Sequence, residues 1–375
     1  MKAIVLSGGG ARGAYQAGVL SAVGDIAKKL NITNPFQIYT GISAGAINAG
    51  FLASNASQFS VATQNLSELW AGLHSEQVFK TDAVSLGKIG LQWVGELSFG
   101  GATSSTHSKS LLNTSPLSDL IRNNLDFSGI RKNIENGHLH SVAVTALDYG
   151  TSTSVTFIEG QDGISMWERS RRRSEPAVLK TEHIVASSAI PLLFTPACIE
   201  NRYYGDGCVR NSTTLSPALH LGADQLLVIG VRKQTSSDFE KISTEANLAP
   251  SVAKIVNVLL NSVLLDGIEV DVERLSKINE FLLKVPKEHH QALNFRPVDY
   301  IWIHPSEDIG AVAASMSSKL PRVIRYLLKG LGPLDDASEI ISYLLFEPAF
   351  CQRLIEIGYK DGMAQQLQIE RFLTS

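Results

Sequence analysis

The segment Lys2–Gly13 reads KAIVLSGGGARG, and the interpretation of the whole chain starts from it. A short, mostly apolar run comes first, and glycines at positions 8, 9, 10 and 13 follow it directly. An apolar run that stops at a glycine-rich turn predicts a buried strand entering a turn. Apolar residues then recur at helical spacing over Ala14–Leu30. We therefore predict a strand, a glycine loop and a helix in succession.

A second strand–turn–helix unit follows. Phe36–Thr40 predicts a strand, Gly41–Gly45 (GISAG) a turn, and Ala44–Ala53 a helix. The same patterns predict later strands and helices, at Ser141–Leu147, Ser154–Ile158, Gln225–Val231 and Tyr300–Ile303 for strands, and Val252–Leu265, Val272–Leu283, Pro321–Leu328 and Ile340–Ile357 for helices. Strands separated by helices predict an α/β layer fold with a central, mostly parallel sheet.

Length and composition set the domain organisation that we expect. The chain has 375 residues, of which 44% are hydrophobic and 18% charged. This length allows one large domain, or one domain with an extension. We expect a core over residues 1–232 and a mainly helical C-terminal region over 233–375, packed on the core, with one further strand near 299–303.

Charge and cysteine content exclude several classes of protein. The net charge of −3 argues against a nucleic-acid partner, because such domains carry a basic excess. The three cysteines form no CxxC pair, so we expect no metal site and no disulfide framework. The glycine loop begins too soon after Met1 for a signal peptide, and no run of 18 apolar residues exists. We expect a cytoplasmic protein.

Three segments have both a plain interpretation and a functional one. Ser98–Ser110 is rich in Gly, Ser and Thr, which is typical of a linker or of a lid over a site. Arg169–Arg173 (RSRRR) fits a solvated loop or a contact to lipid head groups. Leu320–Leu331 fits a helix packed on the domain with a basic outer face, or a helix lying on an anionic membrane. Peripheral membrane contact therefore stays open.

The glycine loop has two interpretations. Gly8, Gly10 and Gly13 satisfy G-x-G-x-x-G after a strand and before a helix, which is the context of a dinucleotide site. That site needs a carboxylate about 20 residues further on, to bind the ribose. No Asp or Glu occurs between Asp25 and Glu68, so nucleotide binding is the weaker alternative.

The turn Gly41–Gly45 favours the other interpretation. G-x-S-x-G between a strand and a helix is the nucleophile-elbow pattern, in which a serine projects from a sharp turn. Small neighbours let the strand and helix close around the serine, and the helix N-terminus provides positive potential for an oxyanion. The exposed N–H groups of the glycine loop can then form an oxyanion hole beside Ser43.

A serine nucleophile needs a base. An α/β-hydrolase would supply an acid and then a histidine, with the elbow placed later in the sheet than residue 43. None of the nine histidines lies in a compelling setting. Asp206, between Gly205 and Gly207 on a tight turn, is the candidate base, and an ordinary Asp-Gly hairpin turn is the alternative interpretation.

Taken together, these motifs resemble the patatin-like phospholipases, lipid acyl hydrolases that use a Ser–Asp dyad. The resemblance rests on Gly8–Gly13, Gly41–Gly45 and Asp206-Gly207, supported by Ala186–Pro191 and Leu221–Asp224, and it extends over at least residues 3–232. It implies a three-layer α/β sandwich with no metal and no cofactor. It also implies roles for individual residues: the catalytic pair Ser43 and Asp206, the oxyanion loop Gly8, Gly9, Gly10, Ala11, Arg12 and Gly13, the elbow glycines Gly41 and Gly45, and the base-motif glycine Gly207.

The same resemblance implies the reaction. The expected activity is of phospholipase A or lysophospholipase type, on a phospholipid or lysophospholipid, through an acyl-enzyme intermediate. Acyl transfer to an acceptor other than water is the alternative on the same dyad. Two positions depart from the family pattern: Ser7 stands where many members have Asp, and Cys208 replaces the usual small residue after Asp-Gly. No oligomeric state is predicted.

Overall fold

The structure is a computed structural model, and it describes residues 1–81, 110–210, 213–234, 249–286, 289 and 295–375. The predicted linker or lid Ser98–Ser110 lies outside the described residues except for Ser110.

The described strands form one mixed sheet of ten strands. They are β1 (Lys2–Leu6), β2 (Ile38–Ile42), β3 (Ser141–Asp148), β4 (Thr153–Gly160), β5 (Glu168–Arg169), β6 (Arg172–Pro176), β7 (Ala197–Ile199), β8 (Arg202–Asp206), β9 (Gln225–Ile229) and β10 (Asp299–Ile303). The main order is β10-β9-β1-β2-β3-β4-β6-β5, with β8 pairing with β3 and β7 pairing with β8. The pairings from β10 through β3 are all parallel, so the centre of the sheet is parallel as predicted.

Helices cover both faces of the sheet. The described helices are α1 (Gly13–Lys29), α2 (Ala44–Ser54), α3 (Phe59–Ala71), α4 (Ser115–Asn124), α5 (Phe127–Glu135), α6 (Thr181–Ser187), α7 (Ser216–His220), α8 (Val252–Leu264), α9 (Asp266–Lys284), α10 (Ile309–Ser315), α11 (Arg322–Leu331), α12 (Ser338–Leu344), α13 (Pro348–Ala364) and α14 (Gln366–Thr374). Among them, no helix is long and apolar enough to cross a membrane.

Alternation along β1 shows why the fold has three layers. Ile4 and Leu6 join the core under α1, α2 and α3, whereas Ala3 and Val5 join a second core under α7 and α9. A parallel strand that is apolar on both faces must be covered on both faces. The predicted three-layer α/β sandwich is therefore confirmed.

The C-terminal residues complete this architecture. Strand β10 pairs in register with β9, and α13 packs closely along α1. A β-carbon built on Gly358 of α13 would lie only 2.2 Å from the carbonyl oxygen of Tyr15 in α1. The division into a core and a C-terminal region at residue 232 stays a prediction about folding units.

One local prediction needs correction, and one hairpin has no counterpart among the predicted elements. The single helix predicted over Ile340–Ile357 is wrong, because the chain leaves α12 after Leu344 and starts α13 at Pro348. Proline has no N–H to continue a helix, and it disfavours helical geometry in the residue before it. The hairpin of β7 and β8 was not predicted; its turn is Glu200-Asn201, both with positive φ.

The sheet register places the two N-terminal motifs together. Strands β1 and β2 are parallel neighbours, and Leu6 lies opposite Gly41. The glycine loop after β1 and the turn after β2 therefore meet at the same edge of the sheet, where α/β folds commonly bind their ligands.

Candidate active site

Ser43 occupies a strained turn between β2 and α2. Its φ of 57° and ψ of −126° lie in a region that L-residues rarely adopt. Such a conformation costs on the order of 1–3 kcal/mol and persists only where the surroundings enforce it. The turn is also tight: β-carbons built on Gly41 and Gly45 would lie 2.1 Å and 2.3 Å from the carbonyl oxygens of Gly45 and Leu6. No side chain fits at either position, which accounts for the glycines at 41 and 45.

Two further serines hold the Ser43 backbone. The Ser43 N–H donates to Ser187 Oγ at 2.9 Å, and Ser187 Oγ donates in turn to the Thr145 carbonyl at 2.6 Å. Ser188 Oγ donates to the Ser43 carbonyl at 3.1 Å. Both serines are buried at the C-terminal end of α6, so their hydrogen bonds are not in competition with bulk water.

Ala189, the residue that follows these two serines, contacts Asp206. Asp206 ends β8, next to Ala146 of β3, and its N–H donates to the Ala189 carbonyl at 2.8 Å. Residues 187–189 thus contact the backbone of both Ser43 and Asp206. The hairpin interpretation of Asp206-Gly207 is not what the structure has, since Gly207 begins a 3-10 turn.

The Asp206 carboxylate is completely buried. Oδ1 accepts a hydrogen bond from Cys208 N–H at 2.9 Å, and Oδ2 makes no hydrogen bond of ordinary geometry. Burial raises the pKa of Asp206 to about 6, while the nearby Ser43 hydroxyl and the Cys208 N–H and thiol act to lower it. A carboxylate with this pKa is a stronger base than a solvated aspartate and is still mostly ionised at neutral pH.

The glycine loop lies directly beside Ser43. A β-carbon on Gly8 would lie 3.0 Å from the Ser43 β-carbon. The N–H groups of Gly9 and Gly10 donate to no acceptor in the described part of the chain. Gly10 has a φ of 57° and lines the same pocket as Ser43. Unpaired N–H groups at this position suit an oxyanion.

Arg12 points away from Ser43 and into the protein. It is buried, and its guanidinium donates to Ser342 Oγ at 2.8 Å, to the Val231 carbonyl at 3.2 Å and to Glu339. The guanidinium carbon also lies 4.9 Å from the centre of the Tyr343 ring. Arg12 therefore links the glycine loop to α12. Although Arg12 belongs to the predicted oxyanion loop, two of its side-chain partners lie in this C-terminal helix.

Cys208 lies between Asp206 and the glycine loop. A β-carbon on Gly8 would lie 2.3 Å from its Sγ. Burial raises the pKa of the Cys208 thiol well above its usual value, and the charge of Asp206 adds to the shift. The thiol therefore stays protonated and acts as a weak donor to Asp206, rather than as a reactive thiolate.

An apolar pocket opens beside Ser43. It encloses about 480 Å³ of space between protein atoms, including its opening to solvent. Gly10, Ser43, Ala44 and Ser188 lie on its wall. The remaining lining is aliphatic and aromatic: Ile47, Leu69, Trp70, Leu73, Val78, Leu117, Leu120, Ile190, Phe194 and Phe346. A lining of this kind suits a hydrocarbon chain.

The structure brings Gly8, Ser43 and Asp206 together from three distant parts of the sequence. Sequence reasoning did not assign site roles to Ser187 and Ser188, although the segment Ala186–Pro191 had been noted as similar to the family. It also missed Phe346, because nothing in the sequence of the C-terminal region indicates that it reaches the pocket. Within the described residues, no cluster of His, Cys, Asp or Glu has the geometry to hold a metal ion.

The glycine loop is closely packed on the side of its Cα atoms. A β-carbon on Gly10 would lie 2.4 Å from the Tyr343 carbonyl oxygen, and one on Gly9 would lie 2.7 Å from a methyl group of Val231. Protein atoms therefore pack against the Cα atoms of Gly9 and Gly10, which accounts for glycine at both positions.

A family model described as patatin-like phospholipase matches residues 4–219. The match covers more than half of the chain, and the chain belongs to the patatin-like phospholipase family. Family membership supports lipid acyl hydrolysis as its class of activity. No curated protein matches the sequence significantly.

Solved structures of VipD and ExoU align with this chain at low identity. VipD from Legionella pneumophila aligns with a TM-score of 0.37 and 12% identity, over 98% of this chain and 67% of that one. The type III effector protein ExoU aligns with a TM-score of 0.36 and 13% identity, over 98% of this chain and 53% of that one. ExoU in a complex with SpcU from Pseudomonas aeruginosa aligns with a TM-score of 0.28 and 15% identity, over 84% and 62% of the two chains. This chain thus spans about half to two thirds of their length.

The strain at Ser43 predicts an unusual order of stabilities. We expect Ser43→Gly to exceed Ser43→Ala in free energy of unfolding by about 1–2 kcal/mol, because glycine alone adopts this φ without steric cost. Urea unfolding of the two variants measures the difference. At Ser60, in the regular helix α3, the order should be reversed. Equal stabilities of the two Ser43 variants would contradict a strained turn.

The contacts of Arg12 predict that its pairing with Glu339 in α12 contributes strongly to stability. We expect Glu339→Ala to lower the free energy of unfolding by about 3 kcal/mol, because it leaves a buried guanidinium without its counter-charge. Glu307→Ala is the matched control, since Glu307 pairs with Arg353 in a half-exposed ion pair. There the loss should be at most about 1 kcal/mol. If urea unfolding shows the same loss of free energy for both variants, the Arg12–Glu339 pair stabilises the protein no more than the half-exposed pair does.

Proposed function

We propose that this protein is a serine acyl hydrolase of phospholipase A or lysophospholipase type that works through a Ser43–Asp206 dyad. The observation that carries the proposal is the buried Asp206 carboxylate, whose Oδ2 makes no regular hydrogen bond and which lies beside the strained Ser43. The apolar pocket that Ser43 lines supports a fatty-acyl ester as the substrate class.

Acylation begins when the substrate's acyl chain occupies the apolar pocket. Asp206 accepts the proton of the Ser43 hydroxyl while Ser43 Oγ forms a bond to the ester carbonyl carbon. The carbonyl oxygen becomes an oxyanion, which accepts hydrogen bonds from the Gly9 and Gly10 N–H groups. Donors of this kind contribute about 3 kcal/mol each to transition-state stabilisation.

The tetrahedral intermediate then breaks its bond to the leaving oxygen. The proton on Asp206 passes to that oxygen, and the lysolipid or other alcohol departs from an acyl-Ser43 ester. A water molecule next gives a proton to Asp206 and bonds to the acyl carbon, and a second tetrahedral intermediate forms. Its collapse returns the proton to Ser43 and releases the fatty acid, so the enzyme is regenerated.

The positions of Ser187, Ser188 and Ala189 explain how a dyad can suffice. They hold the backbone of Ser43 and of Asp206 at fixed separation through hydrogen bonds of 2.9, 3.1 and 2.8 Å. Preorganisation of this kind removes the need for a third residue to orient the base, and the raised pKa of Asp206 compensates for the weak basicity of a carboxylate.

A soluble chromogenic short-chain ester tests the proposal without requiring a membrane. We expect the wild-type protein to hydrolyse it and Ser43→Ala or Asp206→Asn to lower kcat/KM by about 10³-fold or more. Because Asp206 must be ionised and its pKa is raised to about 6, kcat/KM should rise from pH 5 to pH 7 and then level off. An aspartate with an ordinary pKa of 3.8 would complete this rise below about pH 5.

Ser60→Ala is the matched control, because it removes a serine hydroxyl from α3 and should leave turnover unchanged. Retained turnover in Ser43→Ala or in Asp206→Asn would contradict the dyad, and a flat profile between pH 5 and pH 7 would contradict the raised pKa of Asp206. Product analysis with and without an added alcohol separates fatty-acid release from acyl transfer to another acceptor.

A further inference from the structure

Helix α8 carries an apolar face that points outward. Five aliphatic side chains at helical spacing are each 40–60% exposed over three turns: Val252, Ile255, Val258, Leu259 and Val263. The opposite face, with Ala253, Asn257 and Leu264, is buried against the protein. An outward row of aliphatic side chains of this length is uncommon on a soluble surface and marks an interaction site.

Helix α11 lies next to α8 and extends this surface. Its end meets the start of α8, since a β-carbon on Gly332 would lie 2.9 Å from the Ser251 β-carbon. Ile324 and Leu328 are buried, so the helix packs on the protein as the plainer sequence interpretation expects. Other large side chains of the helix stay outside: Tyr326 is 76% exposed, and Leu327 and Leu331 are 44% and 40% exposed.

The charges on the two helices are all positive. Lys254, Arg322 and Lys329 are exposed, and Arg325 is half-buried. Neither α8 nor α11 contains an aspartate or a glutamate, although the whole chain has a net charge of −3. A cationic and apolar pair of helices on an anionic protein complements an anionic lipid surface.

This surface is adjacent to the proposed catalytic centre. Val263 and Leu264, at the C-terminal end of α8, line a small cavity together with Gly8 and Cys208. Gly8 in turn abuts Ser43. A bilayer that contacts α8 would therefore lie on the side of the molecule where the glycine loop is found.

The other basic segment is a weaker candidate. Arg173 of Arg169–Arg173 pairs with Asp148 at 3.4 Å and with Glu175 at 2.8 Å, and Arg172 bonds to Thr213. Arg169 also donates to the Glu168 carbonyl at 2.9 Å, so three of the four arginines already have partners. No row of exposed aliphatic side chains accompanies them in β5 and β6.

We propose that the outward faces of α8 and α11 form a docking surface for an anionic phospholipid bilayer. The proposal rests on the proposed function, because it gives the acyl hydrolase access to lipid. A second copy of this chain fits less well, since pairing the surface with itself would bring the cations Lys254, Arg322 and Lys329 together with no carboxylate on either helix.

Co-sedimentation with vesicles tests the surface. The parent is the full chain with Ser43→Ala, which leaves the lipid intact. The vesicles are phosphatidylcholine alone, or phosphatidylcholine with about one third phosphatidylglycerol. We expect binding mainly to the anionic vesicles. Ile255→Glu/Leu259→Glu should lower the partition coefficient about tenfold or more, because it replaces two exposed aliphatic side chains with charges that the bilayer repels.

Val61→Glu/Leu367→Glu is the matched control. It makes the same change of charge at two exposed aliphatic positions on α3 and α14, and its binding should stay within about twofold of the parent. Absence of binding by the parent, equal binding by Ile255→Glu/Leu259→Glu, or equal binding to both kinds of vesicle would overturn the proposal. A parent dimer that Ile255→Glu/Leu259→Glu dissociates, without vesicle binding, would assign the surface to a second copy and also overturn it.

The soluble ester keeps this test separate from the test of function. The same substitutions in the otherwise wild-type chain should leave hydrolysis of the soluble ester unchanged. Ester hydrolysis without vesicle binding would overturn the docking surface alone, and vesicle binding without ester hydrolysis would overturn the proposed function alone.

Discussion

The backbone of Ser43 has to be held at a positive φ, and much of the surrounding structure contributes to that constraint. The parallel pairing of β1 with β2 brings Leu6 beside Gly41, and only a glycine at position 45 lets α2 start so close to the Leu6 carbonyl. Ser187 Oγ then accepts a hydrogen bond from the Ser43 N–H, and Ser188 Oγ donates one to the Ser43 carbonyl. A strained residue persists where such contacts over-determine it, and here the strain projects a hydroxyl toward the pocket.

Burial of Asp206 is the second constraint, and it opposes stability. Burial raises its pKa from 3.8 to about 6, which corresponds to about 3 kcal/mol. For a carboxylate shifted upward, the folded state binds more protons than the unfolded state between these two values. This contribution therefore lowers stability as pH rises from about 4 to about 6, and above that range its full cost remains. The charge that destabilises the fold at neutral pH is the charge that the proposed base requires.

Much of the central sheet could be predicted from the sequence, because its signals are local. Lys2–Leu6 is an apolar run that ends at glycines, and its strand has the predicted bounds. Gly41–Gly45 likewise predicted a turn with a projecting serine. The contacts of Arg12 with α12 and the contact of Phe346 with Trp70 in the pocket could not be predicted, because more than 270 residues of sequence separate the partners in each case. Pro348 is a local signal for the break between α12 and α13, but the helical periodicity on both sides of it obscured that signal.

The most direct measurement is peptide mapping of a fluorophosphonate adduct. An activated serine in an oxyanion hole reacts with this probe far faster than an ordinary hydroxyl does. Our account predicts one adduct, on the peptide that contains Ser43, and its loss in both Ser43→Ala and Asp206→Asn. An adduct on another residue, or a labelled Ser43 whose rate of reaction does not depend on Asp206, would contradict the dyad.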